Sequence, residues 1–382
     1  MRCCEKCFDD TYLKEYIREH GRLGTCQFCL ARRVHVIEAG ELEDLFTRFT
    51  ALYSPLQVGV NAPPDMDVHR IGDPLGTIIQ EQWGIFSDRL GDTERHHDLL
   101  SEIFTANLRN EEILDAPDVN ELWTDRDWMH HSLLDRWGEI AEELKHPEEH
   151  QPIAPDLEPD EADLAGAMDT LQWFEEDIGH SVVTLPAGSQ VFRVRLGYRE
   201  QDYQTLPYPI AEVGAPPAAA VTLPGRANAV GVSYLYAAAD ERTAVAEKRP
   251  HRGALVTLAS GRTTRELRLV DLSAGMTLSS PFECNGDYLP SLVESCELFN
   301  NLNSEFAKPL RHTDDVHEYL PTQFFADWVK DHHYDGIRYG SAMSEGGTNI
   351  VLFDPAAVEL TAVRLVRVDA VEVIYSDYTG DD

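Results

Sequence analysis

The chain has 382 residues, 43% of them hydrophobic, which is enough for two or three domains with packed cores. It carries 67 acidic and 32 basic residues, and the resulting net charge of −35 argues against non-specific binding to nucleic acid, because an acidic surface repels phosphates. No apolar run approaches the ~18–20 residues of a transmembrane helix, which argues against a helical membrane protein.

The N-terminal residues are rich in cysteine and lack the apolar segment of a secretory signal. Five of the seven cysteines fall within the first 29 residues. An odd, clustered set without such a signal predicts reduced thiols in a cytoplasmic protein rather than a disulfide framework.

Two CxxC pairs are separated by eighteen residues and predict a tetrahedral zinc site formed by Cys4, Cys7, Cys26 and Cys29. Cys3 is an alternative to Cys4, although the CxxC spacing favours Cys4. A short helix, TYLKEYIREHG, is predicted between the pairs and ends at Gly21. Four thiolates leave no open position for water, so the predicted metal is structural. The alternative is a small hairpin with reduced thiols.

Residues 38–146 are predicted to be mainly helical, since apolar residues recur at helical spacing. The predicted helices are ELEDLFTRFTALY, Ile78–Leu90, Arg95–Asn107 and Ser132–Leu144. Residues 146–163 combine prolines with many acidic residues and predict a linker, followed by a short amphipathic helix, LAGAMDTLQWFEEDI.

From residue 181 the pattern changes to short β-rich runs interrupted by turns and helices. The predicted strands are VVTL, QVFRVRLG, VSYLYAA, ALVTLA, ELRLVDL, IRYGSA, TNIVLF and AVEVIYS. Helices are predicted near Thr243–Lys248, Leu289–Leu302 and Thr322–His332. The C-terminal half is therefore predicted to be one α+β domain.

One stretch of this half, GRANAVGVSYLYAAADERTAVAE, carries three residues suited to one ligand. A Gly-Arg turn presents Arg226, an apolar strand carries Tyr236, and a helix start carries Glu247. Arginine binds phosphate through its planar fork, tyrosine stacks on rings, and a carboxylate stabilises a developing cation. These residue types fit a dinucleotide whose glycosidic bond is broken.

Residues 182–370 resemble the RES domain, named for arginine, glutamate and serine. The ordered pieces that carry the resemblance are FRVR, GRAN, YLYAAADERTAVAE, LRLVDL, YLPTQ and DGIRYGSAMSEGGTNIVLF. The first 150 residues resemble the HEPN/RES N-terminal region that precedes some RES domains. The predicted domains are a zinc knuckle (1–35), a helical HEPN/RES region (36–145), a linker with a short helix (146–180) and a RES domain (181–382).

The resemblance implies an ADP-ribosyltransferase-like fold and an enzyme that consumes NAD by cleaving the bond between nicotinamide and ribose. The acceptor would be water, phosphate or a macromolecule. Members occur as toxins of Xre-RES toxin–antitoxin pairs, which implies a toxin–antitoxin or phage-defence setting. An antitoxin or other regulatory partner and a homo-oligomer are expected.

The site residues follow from the same resemblance. Glu247 is expected to stabilise the ribosyl cation, while Arg226 and Arg193 neutralise the pyrophosphate. Tyr236 is expected to stack near the nicotinamide. Ser341 is expected to hydrogen-bond either the adjoining ribose or the glutamate.

Asn228 is a secondary candidate for binding NAD. Arg195 is a rival to Arg193, and Ser344 is a rival to Ser341. The chain departs from many members at Ala227, where they carry an aromatic residue, and it has GSAM in place of SSR. An inactive RES domain in a binding or sensor protein is therefore an alternative.

A rival hypothesis is a ribonuclease. Arg126 and His131 have the R-x4-H spacing of HEPN ribonucleases, in which both side chains act on RNA. The acidic composition opposes RNA capture. The simpler interpretation is a helix that packs its tryptophans inward.

Overall fold

The computed structural model divides the chain into two compact units, residues 1–132 with 278–294 and residues 133–277 with 295–382. The residues that the structure describes are 1–56, 72–105, 121–125, 132–146, 171, 178–275, 278, 280–284, 288–308 and 316–372. The ribonuclease candidates Arg126 and His131, and most of the predicted linker and short helix at 146–180, lie outside them.

The first unit contains helices and two small sheets. Its elements are β1 (Arg2–Cys4), α1 (Thr11–His20), β2 (Arg22–Thr25), β3 (Arg32–Glu38), α2 (Glu43–Phe46), β4 (Tyr53–Pro55), β5 (Asp73–Pro74), α3 (Leu75–Trp83), α4 (Thr93–Thr105) and β6 (Leu122–Asp125). The strands form the sheets β1-β3-β2 and β4-β6-β5.

Helix α1 confirms the prediction between the two cysteine pairs. Asp10 caps its N-terminus by accepting a hydrogen bond from the Leu13 amide at 2.8 Å. Gly21 ends it, and a Cβ there would lie 2.4 Å from the Ile17 carbonyl oxygen. Leu13 and Ile17, one turn apart, are fully buried. The helix therefore packs its apolar face into the same core as the cysteines.

The helices predicted after residue 38 are confirmed with shifted ends. The segment from 39 to 51 alternates tight 3₁₀ turns with the short helix α2, so it is less regular than predicted. α3 stops at Gly84, whose φ of 60° is left-handed and suits glycine. Aromatic rings form the core of this unit: Phe8, Phe46, Phe49, Phe86 and Phe282 are all buried, with neighbouring ring centroids 5.1–6.4 Å apart.

The second unit is built on a large mixed sheet flanked by helices. Its elements are α5 (Leu133–Lys145), β7 (Val182–Leu185), β8 (Gln190–Leu196), β9 (Arg199–Gln201), β10 (Gln204–Leu206), α6 (Ile210–Val213), β11 (Leu235–Ala238), α7 (Glu241–Ala246), β12 (Leu255–Thr263), β13 (Leu267–Asp271), α8 (Leu289–Ala307), α9 (Leu320–Asp331), β14 (Gly336–Gly340), β15 (Thr348–Leu352) and β16 (Val358–Arg367). The first residues of α8, up to Glu294, belong to the first unit.

Eight strands form this sheet in the order β16-β12-β8-β11-β15-β14-β13-β7. The β13–β14 pair is parallel and the other pairs are antiparallel. Side chains of α8 and α9 pack with side chains of β13, β14 and β15 in one apolar core. The predicted α+β class is confirmed for this half of the chain.

Seven of the eight strands predicted after residue 181 are present, and the exception is the last one, AVEVIYS. The structure places a long edge strand at Val358–Arg367, which the sequence did not predict. Its exposed residues alternate with partly buried ones, so it lacks a continuous apolar run. Of the predicted strand AVEVIYS, residues 370–372 are not in a strand and the rest lies outside the described residues.

Helix α5 falls in the second unit, where it packs against α9. Trp137 of α5 lies with its ring centroid 6.4 Å from that of Phe325 in α9. The predicted domain boundary at residue 145 stays a prediction. The second compact unit begins at residue 133, twelve residues earlier. Among the described residues, no helix is long and apolar enough to span a membrane.

Strand β11 leads directly into α7, and Asp240 links the two. The Asp240 side chain accepts hydrogen bonds from the Thr243 amide at 2.8 Å and from the Thr243 hydroxyl at 2.6 Å. This cap fixes the first turn of a helix of only six residues, which is too short to be stable alone. The position of the residue that follows the helix therefore depends on Asp240.

Replacing Asp240 with alanine should destabilise α7 by about 1 kcal/mol, because the Thr243 amide loses its acceptor. Hydrogen exchange in residues 241–247 should accelerate several-fold, as measured by mass spectrometry. Asp240→Asn is the control, because asparagine caps about as well as aspartate. Unchanged exchange in Asp240→Ala would contradict this role of the cap.

Candidate active site

A cavity of about 180 Å³ opens where β8, β11, β14 and β15 meet α7. Four of the predicted site residues line it, Arg193, Arg226, Tyr236 and Glu247. Residues that the sequence did not single out also line it, among them Lys248, Tyr339 and Asn349. The fold thus brings together residues that are more than 150 positions apart in the sequence.

Glu247 is the C-cap of α7, so the carboxylate lies at the end of the helix and not at its start as expected. Its Oε1 atom accepts two hydrogen bonds, from the Ser341 hydroxyl and from the Asn349 side-chain amide, each at 2.7 Å. Two donors on one oxygen fix the orientation of the carboxylate. Oε2 is left for a ligand.

Ser341 follows β14 in a tight turn that is stabilised by hydrogen bonds between its own residues. Its amide donates to the Gly347 carbonyl at 2.9 Å, and its hydroxyl accepts from the Met343 amide at 3.1 Å. The rival Ser344 is buried in the same turn, where its carbonyl accepts a hydrogen bond from the Gly347 amide at 2.9 Å. Of the two serines, Ser341 is therefore the one whose hydroxyl contacts the carboxylate.

Gly347 cannot be replaced without moving this turn. A Cβ at this position would lie 2.2 Å from the Thr243 hydroxyl oxygen, inside contact distance. Since Thr243 belongs to α7, the turn that carries Ser341 and the helix that precedes Glu247 are in direct contact. This close approach sets the distance between the Ser341 hydroxyl and the Glu247 carboxylate.

Asn349 was missed because it lies inside a predicted strand, where an isolated polar residue gives little signal. It is 4% exposed and sits opposite Tyr339 in the β14–β15 pairing. A buried asparagine in the middle of a sheet needs hydrogen-bond partners. Glu247 supplies one, so the buried amide is a second fixed donor to the carboxylate.

The Arg193 guanidinium is largely committed to the backbone. Its Nε donates to the Val213 carbonyl at 2.6 Å, and its Nη1 donates to the Tyr236 carbonyl. Burial lowers the pKa of Arg193 from its ordinary value, although arginine stays charged. The rival Arg195 bonds Glu212 and lies 3.8 Å from the centroid of the Tyr208 ring. Arg193 faces the cavity as a fixed positive charge.

Arg226 is held in a turn that is fastened to helices α8 and α9. Its Nη1 donates to the Phe306 carbonyl, and its own carbonyl accepts from the Thr322 hydroxyl at 2.6 Å. Burial raises the pKa of the neighbouring Tyr339 to about 12, against a lowering by the positive charge of Arg226. Tyr339 is thus neutral beside a fixed guanidinium.

The Tyr236 hydroxyl is part of the same turn. It donates to Asn228 Oδ1 at 2.6 Å and accepts from the Ala227 amide at 3.0 Å. Burial raises the pKa of this phenol, so it stays protonated. A Cβ on Gly225 would lie 2.4 Å from Asn228 Oδ1 and 2.7 Å from the Tyr236 hydroxyl oxygen. The ring of Tyr236 lines the cavity, while its hydroxyl stabilises the turn that contains Ala227 and Asn228.

Asn228 does not line the cavity. Its side-chain amide donates to the Val232 carbonyl at 2.9 Å and its Oδ1 accepts from Tyr236, so both ends are used within the turn. Its side chain is 6% exposed. The structure places Asn228 as a support for Tyr236, and the expected contact between Asn228 and NAD stays a prediction.

The cavity is positively charged in a chain that is strongly acidic. Arg193, Arg226 and Lys248 line it together with Glu247, so three cations surround one carboxylate. Desolvation, followed by repulsion from Arg193, lowers the pKa of the Lys248 amine from its ordinary value. A cavity with such an excess of positive charge attracts an anionic ligand despite the net charge of the protein.

A second candidate site lies in the first unit, where four cysteines converge. The sulfur atoms of Cys4, Cys7, Cys26 and Cys29 all lie within 4.8 Å of one another, and the measured pairs are 3.5–3.9 Å apart. Tetrahedral Zn–S bonds of about 2.3 Å place sulfurs about 3.8 Å apart. The cluster therefore has the dimensions of a four-thiolate metal site.

Cys3 lies outside this cluster, since its thiol contacts the Ile37 carbonyl at 4.0 Å. The Cys29 amide donates to the Cys26 sulfur at 3.4 Å, so the peptide turn itself helps to stabilise a thiolate. The structure brings together the four predicted ligands and separates the alternative one from them.

Comparison with known proteins identifies a family match in the C-terminal half of the chain. Residues 191–374 match the family model of the RES domain, which confirms the resemblance seen in the sequence. One similar solved chain comes from the crystal structure of the M. tuberculosis MbcT-MbcA toxin–antitoxin complex. It is 14% identical over 51% of this chain and 93% of that chain, and its TM-score of 0.28 is too low to support an argument. A comparison with curated proteins found no match.

Replacing Tyr236 with phenylalanine should destabilise the second unit by about 1–3 kcal/mol, because a buried amide and a buried amide oxygen lose their partner. Urea denaturation followed by intrinsic fluorescence measures this loss. Tyr203→Phe is the control, since Tyr203 is fully exposed. Equal stability of the two variants would show that the hydroxyl does not fasten the turn.

Proposed function

We propose that this protein is an enzyme that consumes NAD by cleaving the bond between nicotinamide and ribose, because residues 191–374 match the family model of the RES domain. The observation that carries the proposal is the fixed carboxylate of Glu247. It is held by Ser341 and Asn349 and lies in a cavity lined by cationic side chains. That arrangement suits an anionic substrate whose reaction develops positive charge on a sugar.

The chemistry follows from the charge that the reaction creates. As the bond to nicotinamide lengthens, positive charge builds up on the ribose ring, and nicotinamide leaves as a neutral molecule. Oε2 of Glu247 would face that charge, while Ser341 and Asn349 hold the carboxylate in place. A preorganised carboxylate stabilises the transition state without reorganising during the reaction.

The surrounding residues would hold the substrate. Arg193 and Arg226 would place fixed positive charge beside the pyrophosphate, and the Tyr236 ring would pack against the nicotinamide side. The acceptor would be water, phosphate or a macromolecule, which corresponds to an NAD glycohydrolase, an NAD phosphorylase or an ADP-ribosyltransferase. All three need the same carboxylate and the same cationic cavity.

An unrestrained NAD-consuming enzyme would harm its own cell, and the proposal therefore includes a toxin-like role controlled by an antitoxin or another regulatory partner. A homo-oligomer and a cytoplasmic location belong to the same proposal. For the first unit we propose a structural zinc ion bound by Cys4, Cys7, Cys26 and Cys29. Four thiolates would complete its coordination, so the metal would stabilise the fold and take no part in the chemistry.

Replacing Glu247 with glutamine should lower kcat/KM for NAD on the order of 10²-fold or more, because the amide cannot stabilise a cation as a carboxylate does. Release of nicotinamide by the purified protein, measured by chromatography with and without phosphate, gives the rate. The second product identifies the acceptor: ADP-ribose, ADP-ribose phosphate or a modified macromolecule.

Glu266→Gln is the matched control, because Glu266 is exposed, belongs to the same unit and lies outside the cavity. It should cleave NAD at the wild-type rate. If Glu247→Gln were as active as Glu266→Gln, the proposed role of the carboxylate would be wrong.

The zinc proposal predicts about one zinc per chain, with Cys7→Ser losing the metal and Cys3→Ala retaining it. Zinc content measured by plasma mass spectrometry tests this. A chelator should lower the unfolding temperature of the wild type, because the metal binds the folded chain. Equal zinc in both variants, or none in the wild type, would refute the site.

A further inference from the structure

The cavity around Glu247 is too small for a whole dinucleotide. Sites for drug-sized ligands occupy about 300–1,000 Å³, whereas this cavity holds about 180 Å³. It has room for the reacting end of NAD. If the proposed function is right, the other half of the substrate must bind outside it.

A second cavity of about 640 Å³ adjoins the first and shares Arg193, Val194 and Lys248 with it. The segment 211–217, which contains α6 residues and the turn that follows, forms part of its wall. Six of the seven residues in this segment are alanine, valine, glycine or proline, and the seventh, Glu212, accepts a hydrogen bond from Arg195. A large cavity with an apolar segment on its wall and cations where it adjoins the first cavity suits a nucleoside attached to phosphate groups.

The cations along this path differ in what they already bind. Arg193 donates to two backbone carbonyls, Arg195 bonds Glu212, and Arg226 donates to the Phe306 carbonyl. Within the described part of the chain, no hydrogen bond or ion pair engages the Lys248 ammonium group. Lys248 lines both cavities and so stands at their junction.

We propose that the second cavity binds the adenosine half of the dinucleotide and that Lys248 binds the diphosphate at the junction. The inference rests on the proposed function for the identity of the substrate. It assigns anion binding chiefly to a lysine that adjoins the carboxylate in sequence, where the family resemblance had pointed to arginines. An ammonium group without a partner can engage phosphate without breaking an existing contact.

Direct binding tests this without any requirement for turnover. ADP, which carries the diphosphate and the adenosine but no nicotinamide, should bind the intact protein in isothermal titration calorimetry. Lys248→Gln should weaken this binding about ten-fold or more, because a charge-assisted contact is lost. Lys308→Gln is the matched control, since Lys308 lies outside both cavities and bears the same charge.

A second variant tests the cavity. Ala215→Trp fills the apolar wall and should weaken ADP binding, while leaving binding of nicotinamide mononucleotide close to that of the wild type. In turnover assays Lys248→Gln should raise KM for NAD more than it lowers kcat, as expected for a contact outside the reacting bond.

The outcomes separate the two proposals. ADP binding that is equal in Lys248→Gln and Lys308→Gln, or absent from the wild type, would overturn this inference even if NAD is cleaved. ADP binding that depends on Lys248 and Ala215, in a protein that leaves NAD intact, would support the inference and overturn the proposed reaction.

Discussion

The candidate site depends on the pair of hydrogen bonds that Glu247 Oε1 accepts from Ser341 and Asn349. These bonds connect the end of a six-residue helix to the turn after β14 and to the second residue of β15. The contact between Gly347 and Thr243 keeps the helix and the turn at the required distance. Sheet order, helix capping and the glycine together fix one carboxylate, and that carboxylate gives the cationic cavity its chemical use.

The cavity also resolves an apparent conflict in the composition. A chain with net charge −35 repels anions at long range, yet three cations converge on one pocket. Repulsion between exposed charges is screened within about 10 Å at ordinary salt, whereas charges in a partly buried pocket act at short range. The local charge of this cavity can therefore differ in sign from the net charge of the protein.

Much of the fold followed from the sequence because it has local signals, and local motifs also singled out four residues that line the cavity. The CxxC pairs, the helix between them and the β-rich runs each depend on neighbouring residues, and the ordered motifs placed Arg226, Tyr236 and Glu247 in one unit. The positions of Asn349 and Lys248 on the cavity wall were not predicted, since the cavity is formed by segments that are distant in the sequence. Asn228 looked available in the sequence, but its amide is used within the turn.

The most direct test of the account is a crystal structure of the Glu247→Gln variant with intact NAD. The account predicts the nicotinamide ribose beside position 247, the diphosphate next to Lys248 and the adenosine against residues 211–217. NAD bound elsewhere on the chain, or bound with its nicotinamide end away from position 247, would contradict it.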